Sequence, residues 1–404
     1  MEQVWKRNAS HALATPPRVS LRATPGYHRL PTYVGPDGRL PAEVTMCRFP
    51  HDDARRHALH CILPPYLLRA IARNGTPEQR TAALAGLATD SGIRALRAQA
   101  DAMPGVARAL VPPPAGTPAP RRTIYDAAHG QALPGRAIRR EGAAPSGDAA
   151  VDEAYDGLGA TFAFFLDAYR RNSIDDAGMA LDASVHFGVQ YDNAFWNGAQ
   201  MVFGDGDGKL FNRFTVALDV IGHELAHGVT AREAGLVYLG QPGALNESLS
   251  DVFGSLIKQY ALQQDATAAD WLIGAGLLAK GVRGVALRSM KAPGTAYDDP
   301  VLGRDPQPAH MKDFVDTTED NGGVHLNSGI PNRAFHLAAV AIGGRAWEIA
   351  GRIWYLALRD PKLKANANFA AFAKLTVKTA GRLYTAKGRE ASAVAAAWKA
   401  VGVL

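Results

Sequence analysis

The sequence predicts an α+β protein, with a sheet-containing half followed by a helical half and a short, mostly helical segment ahead of both. Three observations carry this. Between 123 and 214, short apolar runs (TIYDA, MALDASVHFGVQYDN, MVFGDGDGKLFNRF) alternate with Gly/Asp turns, the pattern of strands joined by tight loops. From about 215 onward the apolar residues recur at helical spacing, as in TVALDVIGHELAHGVT, NESLSDVFGSLIKQYALQ, RAFHLAAVAIG and RAWEIAGRIWYLALRD. Between 101 and 122 a proline-rich stretch, with five prolines in the eleven residues 111–121, separates this body from what precedes it.

Taken in order, residues 1–45 are rich in Pro, Arg, Thr and Ala without an apolar period. They read as a disordered tail or, because Met46 opens the first patterned text, as a mis-assigned start. Residues 46–100 form the small helical segment. Within it Pro64-Pro65 precede YLLRAIARN, which puts Leu67, Leu68 and Ile71 on one side and stops at Gly75. A second helix over 76–99 starts with Thr76 as cap and Pro77 in its first turn. The linker 101–122 stays extended and is a good place for a protease to cut. The body then divides into 123–238 and 239–404, and no internal repeat is present.

Composition excludes several classes. In 404 residues the hydrophobic share is 47% and the charged share 20%, values of a globular chain rather than a disordered or fibrous one. Two cysteines, Cys47 and Cys61, cannot make a disulfide scaffold or a cysteine-based structural zinc site. No apolar run reaches the ~18 residues that span a bilayer, and the N-terminal text lacks the apolar core of a secretory signal. Charge is uneven: residues 1–122 hold 17 Lys+Arg against 8 Asp+Glu, and residues 123–404 hold 27 against 30. A basic segment lying on a mildly acidic body explains this better than nucleic-acid binding, which would want a basic folded face.

The chemistry is carried by His223-Glu224-Leu225-Ala226-His227. On a helix, positions i and i+4 lie one turn apart on one face, so both imidazoles can reach one ion. Val216, Val220, His223 and His227 share that face, and Thr215 can cap its start. Glu224 lies beside the ion rather than on it, where a general base belongs. After 19 intervening residues comes Glu247, a third ligand, in the block GALNESLSD. Asp251 follows one turn later, and Asp251 and Asn246 are candidates to hold the second ring nitrogens of the histidines. Leu245, Leu249, Val252 and Phe253 bury this second helix, and buried carboxylates need partners. Two histidines, one glutamate and an open position make a catalytic zinc site. Zn2+ would acidify a bound water, and Glu224 would take its proton as it attacks a peptide carbonyl and pass it to the leaving amine.

HELAHGVT followed by GALNESLSDVFG resembles the thermolysin-like zinc metallopeptidases, the gluzincins. Five separated blocks occur in the family's order over about 123–404. The resemblance implies the family's two-domain fold and a neutral metalloendopeptidase. It implies that Asn193 and Ala194, in DNAFWNG, lie on an edge strand that aligns the substrate backbone. His325, in DNGGVHLNSG, would hydrogen-bond the oxyanion, with Asp320 holding it protonated and Tyr238 sharing the task. Arg288 would bind a substrate carbonyl. Phe211, Phe214, Val220 and Leu287 would line a pocket for a bulky apolar residue after the cut. Alone, each of these has an ordinary reading as a loop, surface or packing residue; their joint order is what weighs.

The chain also departs from the family. Asp219 matches a calcium carboxylate, but its partner position is Lys258, which cannot ligate Ca2+ and could neutralise Asp219 instead; the paired calcium site is expected to be absent. Gly204-Asp205-Gly206-Asp207-Gly208 reads as a tight turn rather than a calcium loop. The short Pro64-Pro65-Tyr66 motif segment resembles the propeptide of the protealysin-like subgroup, which docks over the active cleft. That resemblance implies a zymogen whose own propeptide, 46–100, is an intramolecular inhibitor cut within 101–122. A competing inhibitory device is a thiolate switch with Cys61 as fourth zinc ligand near His57 and His60. An aminopeptidase and a noncatalytic binding protein are the other functions weighed; the first lacks an acidic anchor motif, and the second sits poorly with a complete catalytic set. The expected partners are a peptide or protein substrate, with no nucleic acid and no membrane span, and the chain is expected to be a monomer. The expected location is extracellular by nonclassical export, or cytoplasmic, since no signal peptide is read.

Overall fold

The computed structural model describes residues 60–101 and 117–404, with side chains over 61–92 and from 117 on. The tail 1–45, Met46 and His57, and residues 102–116 of the linker 101–122 in which the cut is expected, lie outside the described residues.

A six-stranded mixed sheet forms the first half. Its order is β1-β5-β6-β4-β2-β3, with β1 His60–Cys61, β2 Arg122–Asp126, β3 Arg136–Arg140, β4 Leu181–Val185, β5 Ala194–Trp196 and β6 Met201–Phe203. The central pairs β2–β4 and β4–β6 are parallel, and the outer pairs are antiparallel. β5 is where the N-terminal segment joins the body. Cys61 pairs with Phe195 and His60 with Trp196, so the segment adds a strand to what is otherwise a sheet edge.

Two helices follow β1. α1, Pro65–Asn74, starts at Pro64 and turns Leu67, Leu68 and Ile71 inward; α2 runs Pro77–Asp101. Thr76 and Gln79 cap α2 reciprocally: the Gln79 amide donates to Thr76 Oγ1 at 3.3 Å and the Thr76 amide to Gln79 Oε1 at 2.9 Å.

Two features of the body were not legible as read above. α3, Ala149–Tyr169, is a 21-residue helix inside the stretch read as strands and turns. Asp148 caps it by accepting from the Ala150 and Val151 amides. It is apolar around most of its circumference, so its sequence lacks a one-sided stripe. The stretch 263–319, read as part of a helical half, holds no α-helix; its ordered pieces are the short ribbons β7 Leu272–Ile273 with β8 Arg288–Ser289, and β9 Asp298–Asp299 with β10 Gly303–Arg304. The helical half proper comprises α4 Leu218–Glu233, α5 Gly240–Leu262, α6 Asp320–Asn327, α7 Gly329–Ile342, α8 Ala350–Leu358, α9 Phe369–Leu383 and α10 Arg389–Ala400. Thr215 does not cap α4. It sits in a 3-10 turn at 214–216 and donates to Glu153 at 2.8 Å, while α4 starts behind Ala217 without a side-chain cap.

One apolar core runs through both halves. Tyr169 of α3 stacks on Tyr355 of α8 with ring centroids 4.4 Å apart, and Phe165 and Phe253 pack beside them.

Candidate active site

α4 and α5 touch through glycine. A Cβ on Gly254 would lie 2.3 Å from the Asp219 carbonyl oxygen, and one on Gly222 would lie 2.7 Å from Ile257 Cδ1. This approach brings His223 and His227 of α4 against Glu247 of α5, all essentially solvent-free. The Nε2 atoms of the two histidines are 3.0 Å apart, and a Glu247 oxygen lies 3.5 Å from each. Their Nδ1 atoms are already engaged. His223 Nδ1 lies 2.7 Å from Asp251 Oδ1, and His227 Nδ1 lies 2.9 Å from Asn246 Oδ1 and 3.0 Å from Ser250 Oγ. Two imidazole Nε2 atoms and a carboxylate thus converge on one point. That arrangement repels itself unless a proton or a cation stands between the nitrogens. The donor set and its outer hydrogen bonds fit zinc. It is the one group of three or more His, Cys, Asp or Glu placed to hold a metal ion among the described residues.

Cys61 is not in that cluster. It is buried in a separate apolar group with Phe187, Tyr191, Phe195 and Val202. The thiolate switch is therefore not what the structure contains: the Cys61 carbonyl meets His325, and its sulfur does not join the cluster.

Glu224 is held by one oxygen only. Its Oε2 accepts from the Trp196 amide of β5 at 3.0 Å, and its buried Oε1 accepts nothing from the chain. Burial pushes its carboxyl up to about 8, against the nearby His223. Asp251 is gripped by the Arg288 guanidinium at 2.9 and 2.8 Å and by Asn332 at 2.8 Å. Burial would raise its carboxyl, but Arg288 and His223 pull it well below the usual carboxylate range. Asn332, on α7, escaped the sequence reading. Its only signal there is a polar residue inside the apolar run GIPNRAF.

The opposite wall comes from α6 and from Tyr238, two residues before α5. Asp320 holds His325 twice, by Oδ1 at 2.6 Å from Nδ1 and by Oδ2 accepting the His325 amide at 2.9 Å. Burial would lower the His325 imidazole, but Asp320 and Glu247 raise it. Tyr238 donates to Glu247 and lies 3.2 Å from His325 Nε2.

The N-terminal segment lies between these walls. The Cys61 carbonyl oxygen is 3.2 Å from His325 Nε2. The Ile62 amide donates to Ala194 O at 3.2 Å, and Arg288 donates to Ile62 O at 3.1 Å. The Leu63 amide donates to Asn193 Oδ1 at 3.0 Å. Phe211, Phe214, Val220 and Leu287 are all buried in the core that also takes in Ile62. Pro64 and Pro65 open α1 directly after this strand, and Tyr66 packs on the same core.

At the calcium position suggested by the family, Lys258 Nζ lies 2.6 Å from Asp219 Oδ2 and 2.9 Å from Asp270 Oδ1, and donates to Leu272 O at 2.7 Å. The Gly204–Gly208 string is a turn in which Asp207 Oδ1 accepts from the amides of Lys209, Leu210 and Phe211.

Comparison with known proteins agrees with this geometry. The model of the thermolysin metallopeptidase catalytic domain matches residues 120–231, and that of the family's alpha-helical domain matches residues 234–403. An extracellular metalloprotease of Pectobacterium carotovorum subsp. carotovorum is 55% identical over 342 residues, which is 85% of this chain and 96% of that protein. Protease PrtS of Photorhabdus sp. (strain Az29) is 48% identical over 350 residues, 85% of this chain and 91% of that one. Among solved structures, the precursor of protealysin, a metalloproteinase from Serratia proteamaculans, is similar with a TM-score of 0.77 and 56% identity, covering 85% of this chain and 100% of that chain. Matched through both family domains and along nearly the whole of these relatives, the chain belongs to the thermolysin metallopeptidases, and within them to the protealysin type.

Proposed function

We propose that the chain is a zinc endopeptidase made as a latent precursor, and that residues 60–63 lie in its cleft the way a substrate does. The observation that carries this is the register of the segment: Cys61 O faces His325, and Arg288, Ala194 and Asn193 hold the backbone that follows. In a substrate the bond broken would stand where Cys61–Ile62 stands. Its next side chain would enter the Phe211, Phe214, Val220 and Leu287 pocket, which favours a bulky apolar residue by about 1.5–3 kcal/mol of burial.

Zinc held by His223, His227 and Glu247 supplies Lewis acidity and a water of lowered pKa. The residues of the chain do the rest. Glu224 Oε1 receives the proton of the attacking water and delivers it to the leaving amine, while Trp196 holds Oε2 still. His325, kept protonated by Asp320, and the Tyr238 hydroxyl stabilise the oxyanion as it forms. Asp251 and Asn246 orient the two histidines. We read 46–100 as the propeptide, 101–122 as the processing region, and 123–238 and 239–404 as the two domains of the mature enzyme. The Lys258 ammonium beside Asp219 supports a mature enzyme that takes no calcium there. We read the chain as a monomer; action outside the cell fits its likeness to an extracellular metalloprotease, with cytoplasmic storage as the second reading of location.

The test compares full-length wild type with Glu224→Ala for zinc content and for cleavage of an internally quenched peptide. Wild type is expected to shorten itself within 101–122 and then cut before Leu or Phe. The variant is expected to hold zinc and stay long and inert. Equal cleavage by both, or none by wild type after its N-terminal segment is removed by another protease, would overturn the proposal.

A further inference from the structure

α2 presents a buried carboxylate to the edge of the cleft. Asp90 is 1% exposed. Tyr191 donates its hydroxyl to Asp90 Oδ1, and Asn193 Nδ2 donates to Asp90 Oδ2 at 3.1 Å. The other end of the Asn193 amide, Oδ1, accepts from the Leu63 amide. One side chain of the body is therefore gripped from both ends by two separate parts of the N-terminal segment. The Tyr191 ring stands edge-on to Phe187 and Phe195, with centroids 5.2 and 6.3 Å away, so the two donors sit at the mouth of an apolar notch. Burying a carboxylate is costly unless hydrogen-bond donors meet it, and bonds to a charged oxygen are the strong kind. A basic or apolar side chain in place of Asp90 could not accept from the Tyr191 hydroxyl and the Asn193 Nδ2 as this carboxylate does.

We infer that Tyr191 and Asn193 form a carboxylate-binding notch beside the substrate cleft, and that Asp90 filling it makes the N-terminal segment hold shut. The inference rests on the latent-precursor reading above. It adds that the cleft strand alone does not set latency. The Ala194 amide already donates to Asn193 Oδ1 at 3.0 Å, and Asp90 at the other end holds the same orientation, which gives Leu63 an oxygen to donate to. Asp90 is thus a positioning residue acting through Asn193, and Tyr191 is its second anchor.

The test uses the full-length chain carrying Asp90→Ala, Asp90→Asn, Tyr191→Phe, or Asp90→Ala with Tyr191→Phe. Peptide cleavage is read before any shortening, and again after the segment has been removed. Asp90→Ala and Tyr191→Phe are each expected to raise cleavage by the unshortened chain about 10-fold or more, the change that losing one charge-assisted hydrogen bond converts to. Asp90→Asn, which keeps an acceptor, should leak less. The double variant should leak no more than Asp90→Ala, because both changes break one contact. Once the segment is gone, Tyr191→Phe should cut like wild type. In a Glu224→Ala background, which cannot shorten itself, hydrogen exchange should show α2 amides opening faster in Asp90→Ala. Unchanged exchange, leaks that add independently, or a Tyr191→Phe defect equally present in the processed enzyme would each overturn the notch. If processed wild type cuts nothing, the enzyme reading falls, and the exchange experiment still decides the notch.

Discussion

Asp251 does two tasks at one place. It orients His223 and it neutralises the buried Arg288, which itself reaches the cleft. Asp251→Ala is expected to lower zinc affinity about 10–100-fold, read by competition with a chromophoric chelator. It should also destabilise the fold by about 3–5 kcal/mol, because the guanidinium is left buried without its partner; an unchanged melting curve would mean that Arg288 finds another. His186 offers a pH-dependent case away from the metal cluster. Its Nδ1 lies 2.9 Å from Asp205 and its Nε2 3.0 Å from Asp148, the residue that caps α3. Burial would lower its imidazole, but Asp205 and then Asp148 raise it above the ordinary histidine value. A raised folded pKa stabilises fully below the unfolded value and loses that contribution as pH rises through the folded one. His186→Ala is therefore expected to cost more stability at about pH 6 than at about pH 9. Urea melts in a Glu224→Ala background, free of self-cleavage, would show it, and a cost independent of pH would refute it.

At the scale of elements, the site depends on how closely α4 and α5 approach. Gly254→Ala puts a methyl where the Asp219 carbonyl already stands. The helices must part, at about 1–3 kcal/mol of overpacking, and Glu247 moves with α5 away from His223 and His227. Thermal melts and zinc titration should fall together; a lower melting point with unchanged zinc affinity would mean the cluster tolerates the spread. The legibility of elements follows the same physics. His223 and His227 could be paired from sequence because i, i+4 spacing on a helix is local geometry. Glu247 and Asp251 were legible as one turn of a second helix set among buried apolar residues. α3 was missed because a helix buried on most sides loses the one-sided stripe that marks an amphipathic one. The loops of 263–319 were missed because their apolar residues pack into the core without a repeating period.

Over the whole molecule, the split of charge suggested that a basic N-terminal part settles on a mildly acidic body. Twelve of the 17 basic side chains of that part lie outside the described ones, and so does that expectation; the described interface is made by other means. It includes an added strand, the apolar face of α1, and hydrogen bonds with Asn193, Ala194, Arg288 and Tyr191. Arg69 with Glu319 forms an exposed ion pair across it, of a kind worth about 0–1 kcal/mol. Raising salt from about 0.05 to 1 M is therefore expected to change the rate of self-shortening less than about twofold. A steep salt dependence would return weight to long-range charge.

The sequence by itself determined what depends on neighbours along the chain. Those are the helices carrying HELAH and NESLSD, the short proline-led segment, the α+β order, and through five ordered blocks the family. Tertiary structure decided what depends on distance across the fold. It put Asn332 on Asp251 and Asp90 on Asn193, paired Lys258 with Asp219, and turned Cys61 so that its carbonyl rather than its thiol faces His325. These contacts join residues far apart in the chain, and no local periodicity encodes them. They arise where packing leaves a buried polar group that some other element must satisfy.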